Sequence, residues 1–392
     1  MTTTSPTSST RPTADRTRLF FWEETARDWQ AASKEGRRPQ ISEYVTRNLR
    51  ALREGVNREP GTDPSLRSVH RVPLPDDGCE SLPDRYIAEH HTLTLFGLHQ
   101  HAASEPVHQP DVGLGTACLL LRRSQALTQA AVERRLTAAA TAQDRHELVQ
   151  HLQRLVPLLR QASIGLDYTR LFRELTAWDG PDRNRVLRSW GLQYTDPGTP
   201  APQDGETASQ ERAPYWATFD PASRDAGAEL AALRSGTGRE PGTVAAMWPF
   251  HRTRMASKWR NKGSLTRDLA AEHTALTIFA RHQQTHDRRM HMAGNSPGTA
   301  AGLLARKAAA DSEGKAATAA LERRFGTLLT SADADELAMH LRSLVPLLNQ
   351  AGVGLDYDLL RTALRTWDDP RRPDAATGYR QRWDRDFHIA SS

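Results

Sequence analysis

The side chains of this chain best suited to chemistry are its histidines and arginines. His90, His91, His99, His101 and His108 crowd one stretch, and His273, His282, His286 and His291 crowd another. His282 and His286 stand four residues apart, a spacing at which two imidazoles on one helix face can share a zinc ion. The other stretch argues against a metal site, because Ala103 stands where the counterpart of His286 falls. His99 and His282 occur in both stretches and suit a structural hydrogen bond or a phosphate contact. Catalytic signatures are missing. There is no HExxH, and no glycine-rich loop ending in Gly-Lys-Ser/Thr. Gly113-Leu-Gly115 reads as a helix-entry turn. The expectation is no enzyme, no metal and no cofactor.

Arginine offers forked donors that match phosphate, and only five of the 52 basic residues are lysine. Five arginine pairs recur in both halves of the chain: Arg53 with Arg234, Arg58 with Arg239, Arg123 with Arg306, Arg134 with Arg323, and Arg135 with Arg324. These ten are the expected nucleic-acid contacts. Arg47 and Arg50 lack partners, being replaced by Ala228 and Ala231. The tryptophans Trp178, Trp190, Trp367 and Trp383 are expected in the core rather than against bases.

These pairs belong to a longer repeat. His151–Tyr168 (HLQRLVPLLRQASIGLDY) and His340–Tyr357 (HLRSLVPLLNQAGVGLDY) agree at 13 of 18 positions without a gap. Glu89-His90 recurs as Glu272-His273, His99-Gln100 as His282-Gln283, Gly115-Thr116-Ala117 as Gly298-Thr299-Ala300, and Trp178-Asp179 as Trp367-Asp368. A unit of about 170 residues is a whole domain rather than a solenoid repeat. The expected organisation is a disordered tail over 1–16, a first domain over 17–194, a Pro-, Gly- and acid-rich linker over 195–214, and a second domain over 215–392.

Helical periodicity fills both copies. Leu148, Leu152, Leu155 and Leu159 line one helix face. Asp144 with Glu147 and Asp333 with Glu336 read as capping boxes, and Asp167 and Asp356 as N-caps. Pro157 and Pro346 predict a kink or a break, since an interior proline costs about 3 kcal/mol. The fold class is therefore all-α, two tandem helical bundles of five or six helices each. The net charge of +5 permits nucleic-acid binding without requiring it. No apolar run is long enough to span a membrane. Two cysteines, Cys79 and Cys118, make no disulfide framework and suit a reducing cytoplasm.

In order along the chain stand Arg53, Arg58, Pro60 and Gly61, then Phe96-x-x-His99-Gln100, Glu133-Arg134-Arg135, Leu155 to Leu159, Leu166-Asp167-Tyr168, and Arg188-x-Trp190. This order resembles the CasB-type small subunit of the type I-E CRISPR Cascade complex, and both halves resemble it. The second half has Trp248-Pro249-Phe250 after its Pro-Gly turn, where the first has Val72-Pro73-Leu74. The resemblance implies a non-catalytic, all-helical subunit working beside the backbone and large Cascade subunits. It would hold crRNA, target strand and displaced non-target DNA through basic surface, independently of sequence. The competing expectation is a helical protein–protein scaffold with no nucleic-acid contact.

Overall fold

The computed structural model describes residues 19–34, 42–74, 81–195, 213–310 and 314–392. The expected tail and nearly all of the expected linker lie outside the described residues, as does Cys79. Cys118 is a buried free thiol.

Described residues of the first repeat form α1 (Phe21–Lys34), α2 (Glu43–Glu54), α3 (Asp84–Gln100), α4 (Leu114–Arg123), α5 (Gln129–Thr141), α6 (Arg145–Gln161), α7 (Tyr168–Ala177) and α8 (Arg183–Thr195). Those of the second form α9 (Tyr215–Thr218), α10 (Ala226–Arg234), α11 (Ser257–Asn261), α12 (Arg267–Gln283), α13 (Pro297–Ala309), α14 (Gly314–Leu329), α15 (Ala334–Ala351), α16 (Tyr357–Thr366) and α17 (Ala375–Ser391). A 3₁₀ turn follows α2 (Pro64–Leu66) and another follows α10 (Ala245–Phe250). The fold is all-α. Helices outnumber the expected five or six per copy, through α1 and α2 at the start of the first repeat and the short α9 and α11 of the second.

Local chemistry explains the helix ends. Asp144 accepts the amide of Glu147 at 2.8 Å, and Glu147 accepts that of Gln143 at 2.6 Å. Asp333 and Glu336 repeat the reciprocal pair at 2.8 and 2.6 Å. Gly352, at φ +61°, closes α15 in the left-handed conformation that glycine adopts without strain. Neither Pro157 nor Pro346 breaks its helix. Leu152, Leu155 and Leu159, like Leu341, Leu344 and Leu348, are buried around them, and that burial offsets the lost backbone bond.

The chain divides into two compact units. One holds residues up to Val112 with Val149–Thr176, and the other holds Gly113–Leu148 with Ala177 onward. The division therefore cuts across the first repeat. In the first unit, Phe21, Phe96 and Tyr168 meet edge to face, with Phe96 5.2 Å from Tyr168.

Within the second unit, two helix pairs cross closely in equivalent ways. A Cβ on Gly115 of α4 would lie 2.1 Å from the Trp190 carbonyl, and one on Gly298 of α13 would lie 2.0 Å from that of Trp383. The repeated Gly-Thr-Ala is thus a crossing point. Beneath it Trp178 stacks on Trp190 at 5.1 Å, and Trp367 on Trp383 at 5.4 Å. All four tryptophans are buried.

The same unit joins α8 to the start of the second repeat. Arg188, its side chain 6% exposed, pairs with Glu240 and donates to the carbonyls of Pro241 (3.1 Å) and Gly263 (3.0 Å). Ser189 donates to the carbonyls of Arg260 and Asn261 at 3.2 Å. The indole of Trp248 lies where a side chain on Gly191 would stand, 2.3 Å from that ideal Cβ. Its N–H donates to Gly242 at 2.8 Å. α11 is fixed on its inner side by these bonds.

Candidate nucleic-acid interface

The histidines that invite a metal or a phosphate hold the scaffold instead. His99 Nδ1 meets the Tyr168 hydroxyl at 2.9 Å, and His282 Nδ1 meets that of Tyr357 at 2.9 Å. His282 Nε2 donates to Val353, so Nδ1 is the acceptor. Burial holds both imidazoles down at about 4. The adjacent glutamines brace the next loop. Gln100 accepts from Val107 at 3.0 Å, and Gln283 accepts from Met290 at 2.8 Å. Asp167 and Asp356 cap α7 and α16 at 2.9–3.0 Å, as the sequence predicts.

The repeated Glu-His pair forms a buried clasp. Glu89 accepts the amides of Arg71 and Val72 at 2.7 and 2.8 Å, and Glu272 accepts those of Arg252 and Thr253 at 2.7 and 3.0 Å. A histidine from the clasped segment stacks on the one beside the carboxylate, His70 on His90 and His251 on His273. Burial pushes Glu89 above the usual carboxylate range. Burial acts the same way on Glu272, but the His251 bond at 3.3 Å and the Thr253 bonds outweigh it and hold the group at about 2. The clasp also corrects the register. Arg71 answers to Arg252, so the counterpart of Trp248-Pro249-Phe250 is Arg67-Ser68-Val69, rather than Val72-Pro73-Leu74, as a one-for-one count through the clasped amides requires.

That register exposes an asymmetry. Residues 252–267 of the second repeat read RTRMASKWRNKGSLTR, with six basic residues and no acid. The matching 71–84 of the first repeat hold one arginine against Asp76, Asp77, Glu80 and Asp84. Arg252 and Arg254 line a groove of about 570 Å³ with Arg361 and Arg365 of α16, alongside Asp268 and Asp358. Arg365 pairs with Asp268 at 3.1 Å. Four guanidinium groups against two carboxylates leave the groove cationic, a shape suited to an anionic chain.

The family model for the CRISPR-associated protein Cse2 matches residues 48–194 and again 229–388. The chain belongs to the Cse2 family. A solved structure described as the crystal structure of CasB from Thermobifida fusca is 27% identical and covers 44% of this chain and 91% of its own, with a TM-score of 0.32. No curated protein matches. The double match assigns one Cse2 module to each repeat, in agreement with the resemblance read from the motifs.

In this Cse2 chain the ten expected arginines are dispersed over several elements. Arg53, Arg58, Arg123, Arg134, Arg239, Arg306, Arg323 and Arg324 are exposed, while Arg135 and Arg234 are half-buried. Arg53 binds His101 at 3.1 Å, Arg58 pairs with Asp63 at 2.7 Å, and Arg135 donates to its own helix at Ala131. None of the ten lines the groove. Of the four that do, Arg254, Arg361 and Arg365 escape a reading based on positions shared by both copies, because Pro73, Phe172 and Thr176 stand in their places, and the match of Arg252 to Arg71 emerges only from the register of the clasp.

His291, Asp356 and Asp358 also bring potential ligand atoms within 4.8 Å of one another. Each already holds the fold. His291 accepts from Tyr357, Asp356 from Gly294, and Asp358 from the Trp216 indole. Thr169 takes the place of Asp358 in the first repeat, where it accepts from Trp22 in the same way. Among the described residues no helix is long and apolar enough to cross a membrane.

Proposed function

We propose that this Cse2 chain is a non-catalytic small subunit of a type I-E Cascade surveillance complex. In this reading it works in the cytoplasm beside the backbone and large subunits, and it binds crRNA, target and displaced DNA strands through its basic surface, stabilising the R-loop. The observation that carries nucleic-acid contact is the acid-free segment 252–267 feeding an arginine-lined groove. Backbone recognition of this kind needs dispersed cations and no base-specific donors. The recurrent set Arg53, Arg58, Arg123, Arg134, Arg135, Arg234, Arg239, Arg306, Arg323 and Arg324 supplies further cations along the surface. Tandem fusion places two modules in one chain, with the expected domain boundaries at 17–194 and 215–392.

A salt series on single-stranded DNA tests this. With roughly 4–8 phosphates neutralised, log K falls against log salt with a slope of about −3 to −6. Replacing Arg252, Arg254, Arg361 and Arg365 by alanine flattens the slope more than replacing Arg53, Arg134, Arg234 and Arg323. No salt-dependent binding at all favours the pure protein scaffold.

A further inference from the structure

We infer that Trp259 is a stacking platform for an unpaired base of a single-stranded nucleic acid, with the cations around it taking the flanking phosphates. The inference rests on the nucleic-acid reading above and names the part of the strand that this surface reads.

Eight of the nine tryptophans are buried or half-buried, whereas Trp259 is 53% exposed. An indole left in water gives the fold little, and a base has a π-face that every nucleotide shares. The residue stands on α11, whose other side is locked. Ser189 holds the carbonyls of Arg260 and Asn261, and Arg188 holds that of Gly263. Gly263 sits at φ +62° with space for no side chain, because its Cβ would lie 2.0 Å from the Arg185 carbonyl. The Ser264 amide closes the turn on the Trp259 carbonyl at 3.0 Å. The ring is thus carried on a rigid element, which lowers the ordering cost of binding.

Its neighbours have the charge an anionic strand needs. Lys258 and Lys262 are exposed and four residues apart, on one side of the helix. Arg254 is exposed just before it. Among the described residues none of these three makes an ion pair. The matching segment of the first repeat has neither an aromatic residue nor a lysine. A protein partner would also bury an indole, but a segment with no acid of its own and with these unpaired cations favours a polyanion.

The full chain and its Trp259→Ala and Trp259→Phe variants are titrated with a labelled oligothymidylate of about 12 nucleotides and with an abasic oligomer of the same length. Trp259→Ala should weaken thymidylate binding about 5- to 150-fold, leave abasic binding unchanged and keep the salt slope. Trp259→Phe should retain most of the affinity. Equal weakening on both oligomers, or none on either, overturns the platform while nucleic-acid binding stands. If the unaltered chain binds neither oligomer at low salt, the nucleic-acid reading itself falls, and the platform with it.

Discussion

Arg188 fixes the start of the second repeat to α8, so Arg188→Ala is the most direct perturbation of that joint. The wild-type guanidinium is almost fully buried and satisfies the carbonyls of Pro241 and Gly263 besides pairing with Glu240. Glu240, 39% exposed, regains water when the arginine is removed. The two carbonyls lose their donor inside the joint, at about 1–3 kcal/mol each. The aliphatic stem also packs on Gly242, whose Cβ would stand 2.8 Å from Arg188 Cγ. The expected loss is about 2–6 kcal/mol, the sum over the two carbonyls. Arg188→Lys keeps the charge but not the fork, and should lose roughly half of that. Hydrogen exchange of the Trp248 indole N–H reports the joint, because its bond to Gly242 is buried there. The Trp367 indole, bonded to Ser331 at 3.0 Å, is the internal control. Exchange should accelerate at Trp248 and not at Trp367. A loss below about 1 kcal/mol, or equal acceleration at both indoles, refutes the role given to Arg188.

Three further expectations concern the scaffold and its copy number. Burial holds His90, His99, His273 and His282 at about 4, helped at His90 by the charge of His70 and at His273 by that of His251. Between pH 6.5 and 4 the unfolded chain then binds more protons than the folded one, so stability falls with pH across that window by on the order of 1–3 kcal/mol per ring. His282→Gln should flatten that slope, and denaturation curves at several pH values that keep it unchanged would remove His282 from the account. The fragment 215–392 should give a helical far-ultraviolet spectrum, because one buried apolar cluster runs from Tyr215 to Phe387 entirely within the second repeat; an unfolded or strand-rich spectrum refutes its independence. Native mass spectrometry of the assembled complex should find one copy of this chain per guide RNA, because the chain already carries two Cse2 modules, and two copies would refute that stoichiometry.

Much of this was readable from residue types. The helix caps at Asp144, Asp333, Asp167 and Asp356 are local events, decided within four residues, and they fall where the sequence places them. The repeated His-Gln and Leu-Asp-Tyr motifs were visible as pairs, but their meaning was not. His282 and Tyr357 are 75 residues apart, and only packing joins them. The Glu272 clasp is hidden in the sequence for the same reason, and without it the Pro-Gly turn alone gives the wrong register around Trp248. Pro157 and Pro346 misled because a local cost says nothing of the leucines buried around them. Nothing in the sequence marks Trp259, because tryptophans are usually core residues and exposure is a property of the folded chain.

The joint at Gly191 also bears on the arithmetic of assembly. Trp190 answers to Trp383, since both lie under a crossing glycine, so the positions of Arg188, Ser189 and Gly191 on α8 become Gln381, Arg382 and Asp384 on α17. An aspartate occupies the place that the incoming indole of Trp248 requires, and it is exposed. At the opposite end, the counterpart of Trp248 is Arg67. In the language of polymers, the junction that links the two repeats is heterologous, and neither Asp384 nor Arg67 repeats the glycine–indole pair that makes it. That seam is written once per chain, so the pairing of the two repeats is intramolecular and independent of protein concentration.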